Sequence, residues 1–223
     1  MTRRPKSHRL VFALIVFVLL APAAVVTAAD EAAEGPMRPG AWAIQFGIGD
    51  NFTLNSFSGS AVSVKRHSSA NAAWRAGVSF GLSDLASDRT IEDPDTTFLQ
   101  EFDSDSQSIG VELDRLHYFG AGPAVHPYFG YGPRASWLSQ YQSDSGFDRE
   151  VDAWSAGVGA VFGAEYRATS AIGVHAEYRA SFQYTSRTQE ERRLIVDPAI
   201  QRNEDSAWTV SSGGVRFGLS AYF

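Results

Sequence analysis

His175, Glu177 and Arg179 occupy alternate positions in the stretch Val174-His175-Ala176-Glu177-Tyr178-Arg179. On a β-strand that spacing puts an imidazole, a carboxylate and a guanidinium on one face, with Glu165 within reach on a neighbouring strand. Such a set can carry general acid–base chemistry when a nucleophile or a metal joins it. No nucleophile or ligand cluster accompanies it in the sequence, so an ion-paired wall is the expectation. The run His67-Ser68-Ser69-Ala70-Asn71 offers a base beside hydroxyls. Serine and asparagine also close tight turns by bonding to their own backbone, and a turn is expected there. Between Asp84 and Asp105 lie Asp88, Glu92, Asp93, Asp95, Glu101 and Asp103, against Arg89 alone. Hard oxygen ligands of this kind can gather Ca²⁺ or Mg²⁺, but the spacing is not that of an EF-hand, and a solvated acidic loop is expected. His117, His126 and His175 lack metal-ligand spacing, and the chain has no cysteine, which excludes disulfides and thiolate metal sites. No catalytic, cofactor-binding or metal residue is therefore assigned.

The elements that position these groups are read from a period of two. Trp42, Ile44, Phe46 and Ile48 share one face of a first segment; Val62 and Val64 mark a second; Trp74, Ala76, Val78, Phe80 and Leu82 a third. A fourth, Ser106 to Tyr118, loses phase near Arg115-Leu116, where a bulge is expected. The fifth, Pro127 to Leu138, contains Pro133, which is awkward inside a strand. The sixth alternates from Trp154 to Tyr166 and the seventh from Val174 to Tyr184 without interruption. The eighth, Trp208 to Phe223, changes phase at Gly213-Gly214.

The N-terminus reads as an export signal. Arg3, Arg4, Lys6 and Arg9 precede an apolar run from Leu10 to Leu20, and small residues follow up to Ala29. The expected organisation is a signal peptide over 1–29, a short flexible lead over 30–39 and one domain over 40–223. Removing the leader takes four bases and no acid from a chain whose formal charge is already −6, which argues against nucleic acid as a partner. No later segment approaches the roughly 20 apolar residues of a membrane helix, so a membrane-spanning form must be a barrel.

Three features favour the barrel. The expected connections alternate short (near His67 to Asn71, Phe119 to Val125, Ala168 to Ile172) and long (near Asp50 to Ser60, Asp84 to Asp105, Ser139 to Val151, Ser186 to Ser206), as periplasmic turns and outer loops do. Aromatic residues gather at segment ends: Trp42, Trp74, Tyr118, Tyr128, Tyr166, Tyr222 and Phe223 on one side, Trp137, Trp154, Tyr184 and Trp208 on the other. The polar face, rich in glycine and serine, carries Arg75, Glu112, Asp114, Arg134, Glu165, Arg167, His175, Glu177, Arg179 and Arg216. Lysine occurs only at Lys6 and Lys65, far fewer than a soluble surface carries. Both charge signs among small residues suit a narrow lumen that is plugged by pairing.

The final strand, Val215 to Phe223, ends on phenylalanine with apolar residues at every second position upstream. It resembles the assembly signal of Gram-negative outer-membrane barrels, with Ala221 where that pattern often has Tyr. Over residues 40–223 the chain resembles the small OmpA-type and OmpX-type barrels. The resemblance implies an all-β fold: an eight-stranded antiparallel transmembrane up-and-down β-barrel with short periplasmic turns and long extracellular loops. It implies the outer membrane as location, outer-membrane lipid and lipopolysaccharide as surroundings, and the barrel assembly machinery as a partner through the strand ending at Phe223. The chain stops at the barrel, so the peptidoglycan-binding role of longer OmpA-type proteins is not expected. The His67 run is similar to the His-x-Ser-Asn stretch of outer-membrane lipid A deacylases, but Ala70 interrupts its spacing. A non-enzymatic envelope-structural or surface-interaction role follows, with a narrow transport barrel or a lipid-modifying enzyme as alternatives.

Overall fold

The computed structural model describes residues 38–48, 60–93, 96–119, 124–144, 147–193 and 200–223, without side chains at 60, 86–101 and 193. The expected leader, most of the lead, and the connection 49–59 lie outside the described residues. Eight strands follow in chain order: β1 Trp42–Ile48, β2 Ser60–Ser69, β3 Ala72–Asp93, β4 Thr96–Tyr118, β5 Val125–Asp144, β6 Phe147–Arg167, β7 Ile172–Arg193 and β8 Ile200–Tyr222. Each pairs antiparallel with its sequence neighbours, and β1 pairs with β8 to close the ring. At the seam the Phe223 amide donates to the Trp42 carbonyl at 3.1 Å and the Trp42 amide donates back at 3.3 Å. Closure gives every described strand a partner on both sides, which a spanning sheet requires because hydrocarbon offers its amides nothing to bond.

The expected parity holds, and it is inverted relative to a soluble protein. Phe46, Trp74, Val158, Phe162, Phe182 and Leu219 are exposed on the outside, whereas Gln45, Lys65, Arg75, Asp114, Glu165 and Glu177 are buried inside. Outward stacking continues across strands: Phe182 lies on Trp208 with ring centroids 4.9 Å apart.

Three local expectations need correction. First, the bulge expected in β4 near Arg115-Leu116 does not occur against β3. Their pairing runs in unbroken register from Ala72↔His117 to Asp93↔Thr96. The apparent loss of phase arises because Leu116 and Tyr118 point inward as apolar filling, while Arg115 points outward and lies over Trp74, 5.0 Å from its ring centroid. Second, Tyr118, Tyr128 and Tyr222 are not part of the aromatic girdle; their parity turns them into the lumen, where they are buried. Third, three of the four segments read as long outer loops are largely strand. β3 continues to Asp93, β5 to Asp144 and β7 to Arg193, and each partner resumes a few residues later. A strand that is wet on both faces lacks the apolar alternation by which strands are recognised.

Two expectations hold in detail. The β7–β8 register shifts between Tyr178 and Ala180, opposite Gly213-Gly214. Pro133 pairs with Val158 on β6, but the β4–β5 ladder skips from Glu112↔Arg134 to Arg115↔Tyr131, as a residue without an amide hydrogen dictates.

Candidate functional site

The lumen divides into two levels. At the level nearest the C-terminal strand end, the side expected to be periplasmic, Lys65 on β2 reaches across to Glu165 on β6, Nζ to Oε2, at 2.7 Å. These strands stand on opposite walls of the ring, so the pair staples its diameter. The other two ammonium donors go to Tyr222 Oη at 2.7 Å and Tyr118 Oη at 3.1 Å, and Tyr222 donates to Glu165 Oε1 at 2.7 Å. Every proton of the buried ammonium therefore has an acceptor, the condition under which a charge can be carried away from water.

A second staple lies above it. Arg75 on β3 donates through Nη1 to Glu177 Oε2 on β7 and through Nη2 to Asp114 Oδ2 on β4, each at 2.7 Å. Tyr128 donates to the same Glu177 oxygen at 2.9 Å. Arg179 joins Glu177 to Glu112 on β4. Glycine on the inward face makes room for these crossings. A Cβ at Gly163 would stand 2.6 Å from the Ala176 carbonyl oxygen and 2.9 Å from the Tyr128 ring.

Several charged residues singled out in the sequence are thus brought together as pairs. His175 and Glu177 share the lumen face; Arg179 pairs with Glu177 on the same strand, whereas Glu165, expected within reach of this set, pairs with Lys65. Sequence reasoning missed the hydroxyl beside the histidine: Ser220 Oγ lies 3.3 Å from His175 Nδ1 and accepts from Gln45 Nε2 at 2.9 Å. Only the common inward parity of Ser220 and His175 hinted at this. Serine and histidine are 1% and 3% exposed. In the His67 run, His67 is buried inside, its ring tilted against Tyr118 and Tyr222. Ser68 points the other way, accepting from Arg115 Nη1 at 2.8 Å and donating to the Ala72 carbonyl at 3.2 Å. Opposite faces separate His67 from Ser68, and Ser69, beyond a register shift in the β2–β3 pairing, is exposed where His67 is buried. The turn itself is shorter than expected, Ala70-Asn71, with His67 to Ser69 in β2.

Above Arg179 the lumen opens into a cavity of about 260 Å³. Ser79, Glu112, Arg134, Ser136, Ser181, Ser211 and Arg216 are among its lining residues. Most side chains of the acidic stretch within Asp84 to Asp105 lie outside the described residues, and among the described ones no group of three or more His, Asp or Glu is placed to hold a metal.

A closed, inverted, eight-stranded ring with a charged interior directs comparison to barrel families. The family described as outer membrane protein beta-barrel domain matches residues 13–223. The chain belongs to this family. It is an outer-membrane β-barrel, and its exposed apolar band is the surface that meets lipid. A major outer membrane protein from Thermus thermophilus shares the fold at 16% identity, with a TM-score of 0.52 over 82% of this chain and 98% of the other. CarO from Acinetobacter baumannii aligns at 10% identity with a TM-score of 0.39, over 85% of this chain and 100% of CarO. Curated proteins give no match.

Proposed function

We propose that this outer-membrane barrel is non-enzymatic, closed to through-flow, and acts in envelope structure or surface interaction through its outer face. The observation that carries the reading is the pair of staples across the lumen, Lys65–Glu165 and Arg75–Glu177, which fill its periplasmic level with side chains no more than 2% exposed. What projects beyond the membrane is built for contact with water and neighbours. The β3 to β8 ladders continue past the ends of β1 and β2, with exposed or half-exposed pairs such as Arg149–Glu191 and Arg202–Glu204.

Lipopolysaccharide is the surrounding the outer aromatic residues Trp137, Trp154 and Trp208 suit, since amphipathic rings sit at the headgroup level. Delivery of the final strand, ending at Phe223, to the barrel assembly machinery completes the proposal. Burial of the Ser220–His175 pair supports the non-enzymatic reading. The test is solute flux into proteoliposomes carrying the folded protein. Swelling indistinguishable from empty liposomes for arabinose-sized sugars and for amino acids is expected. Size-dependent swelling would replace the reading with a transport barrel. Altered lipid A in cells expressing the protein would replace it with a lipid-modifying enzyme.

A further inference from the structure

The cavity above the staples has a charge that its own residues leave uncompensated. Its lining holds three guanidinium groups, Arg134, Arg179 and Arg216, and one carboxylate, Glu112. Arg179 is committed, since it pairs with both Glu112 and Glu177. Arg134 is not: its Nε and Nη2 atoms are shielded from solvent and have no hydrogen-bond partner among the described residues. Its guanidinium lies over Gly159, where a Cβ would collide with it, so the wall is shaped to receive the group. Arg216 enters from the β8 side, its stem packed beside Gly47. Arg134 is half-buried, so it is the two shielded nitrogens that are costly to leave without acceptors, and arginine's fork of donors matches the oxygens of a phosphate or carboxylate.

Hydroxyls complete the lining. Ser181 and Ser211 share a hydrogen bond at 2.7 Å, as do Ser136 and Ser155. Hydroxyl rotors of this kind can turn to donate to a guest. A volume of about 260 Å³ corresponds to roughly nine waters at their liquid volume, enough for a tetrahedral oxyanion with part of its hydration shell. Below, the staples shut the floor.

We infer that the outer half of the lumen is a blind binding cup for a small soluble oxyanion of the phosphate class, held by Arg134 and Arg216 with serine hydroxyls around it. Like charge on the two arginines keeps cations out.

The test uses the full mature barrel, refolded in detergent micelles at low ionic strength and titrated with inorganic phosphate, with chloride at matched ionic strength as control. Saturable one-site binding by calorimetry is expected with phosphate and not with chloride. Arg134→Gln and Arg216→Gln are each expected to weaken it at least tenfold, and Arg149→Gln, outside the cup, to leave it unchanged. Ser181→Asp places a carboxylate on the cup wall while keeping both arginines, and is expected to abolish binding; it decides the matter should an arginine variant fail to show the heat-modifiable mobility of a folded barrel. Absence of saturable phosphate binding in the wild type overturns the inference. So does wild-type affinity in folded Arg134→Gln or Ser181→Asp. Flux through the barrel would overturn the closed-lumen reading without touching phosphate affinity, so the two can fail separately.

Discussion

The two levels of the lumen are made from the same residue types and put them to opposite use. At the periplasmic level the charges buried in the described lumen have met partners: Lys65 with Glu165, and Arg75 with Glu177 and Asp114, with three tyrosine hydroxyls taking part in the network. At the outer level serine and glycine replace the tyrosines, Arg134 has guanidinium nitrogens without acceptors among the described residues, and a cavity remains. The difference teaches that a barrel interior is closed by side-chain length and charge matching together. Opposite walls meet where a long cation faces a carboxylate or a tyrosine; where short residues line the wall, the space stays open.

Removing one partner of a staple is the harshest way to break this contrast. Glu165→Ala leaves a buried ammonium without its counter-charge, and a loss of about 3–5 kcal/mol is expected for breaking a buried pair, read from urea unfolding in lipid vesicles by tryptophan fluorescence. The paired replacement Lys65→Met with Glu165→Leu is expected to recover most of it, because two apolar residues leave no orphaned charge. Filling the space that Gly163 keeps for the crossing tests packing rather than charge. Gly163→Ala presses on the Tyr128 ring and the Ala176 carbonyl, and about 1–3 kcal/mol of destabilisation is expected in the same assay.

At the outer level the sign reverses. Arg134→Met removes a shielded cation that lacks an acceptor, so stability in phosphate-free buffer is expected to stay within about 1 kcal/mol of wild type or to rise. Smallest of all is the effect outside the membrane. Arg202–Glu204 is a solvent-exposed pair at 2.9 Å, and Arg202→Ala is expected to change stability by about 0.5 kcal/mol or less.

Much of this architecture could be read before the structure, and the exceptions share a cause. The alternation from Trp154 to Tyr166 and from Val174 to Tyr184 placed β6 and β7 with the right faces, and Gly213-Gly214 marked the bulge in β8. Period two says which wall a residue faces, and nothing about which residue of the opposite wall it meets. That depends on the stagger of the ring, so Lys65–Glu165 across four strands, and Ser220 beside His175, were not legible. Leu116 and Tyr118 misled for a related reason: an inward apolar residue in a plugged lumen looks like a slip of register. The outer ends of β3 to β8 look like loops in the sequence because strands wet on both faces lose the alternation that betrays them.

The contrast between a sealed periplasmic level and an open outer cup is tested most directly by thiol accessibility, which the absence of native cysteine makes clean. Ser181→Cys in the cup and Ser220→Cys in the plug are compared, each refolded in vesicles and treated with a small anionic thiosulfonate. Rapid labelling at position 181 with none at position 220 until the protein is unfolded is the expected result. Comparable labelling at both positions in the folded barrel, or protection at both, would contradict the account.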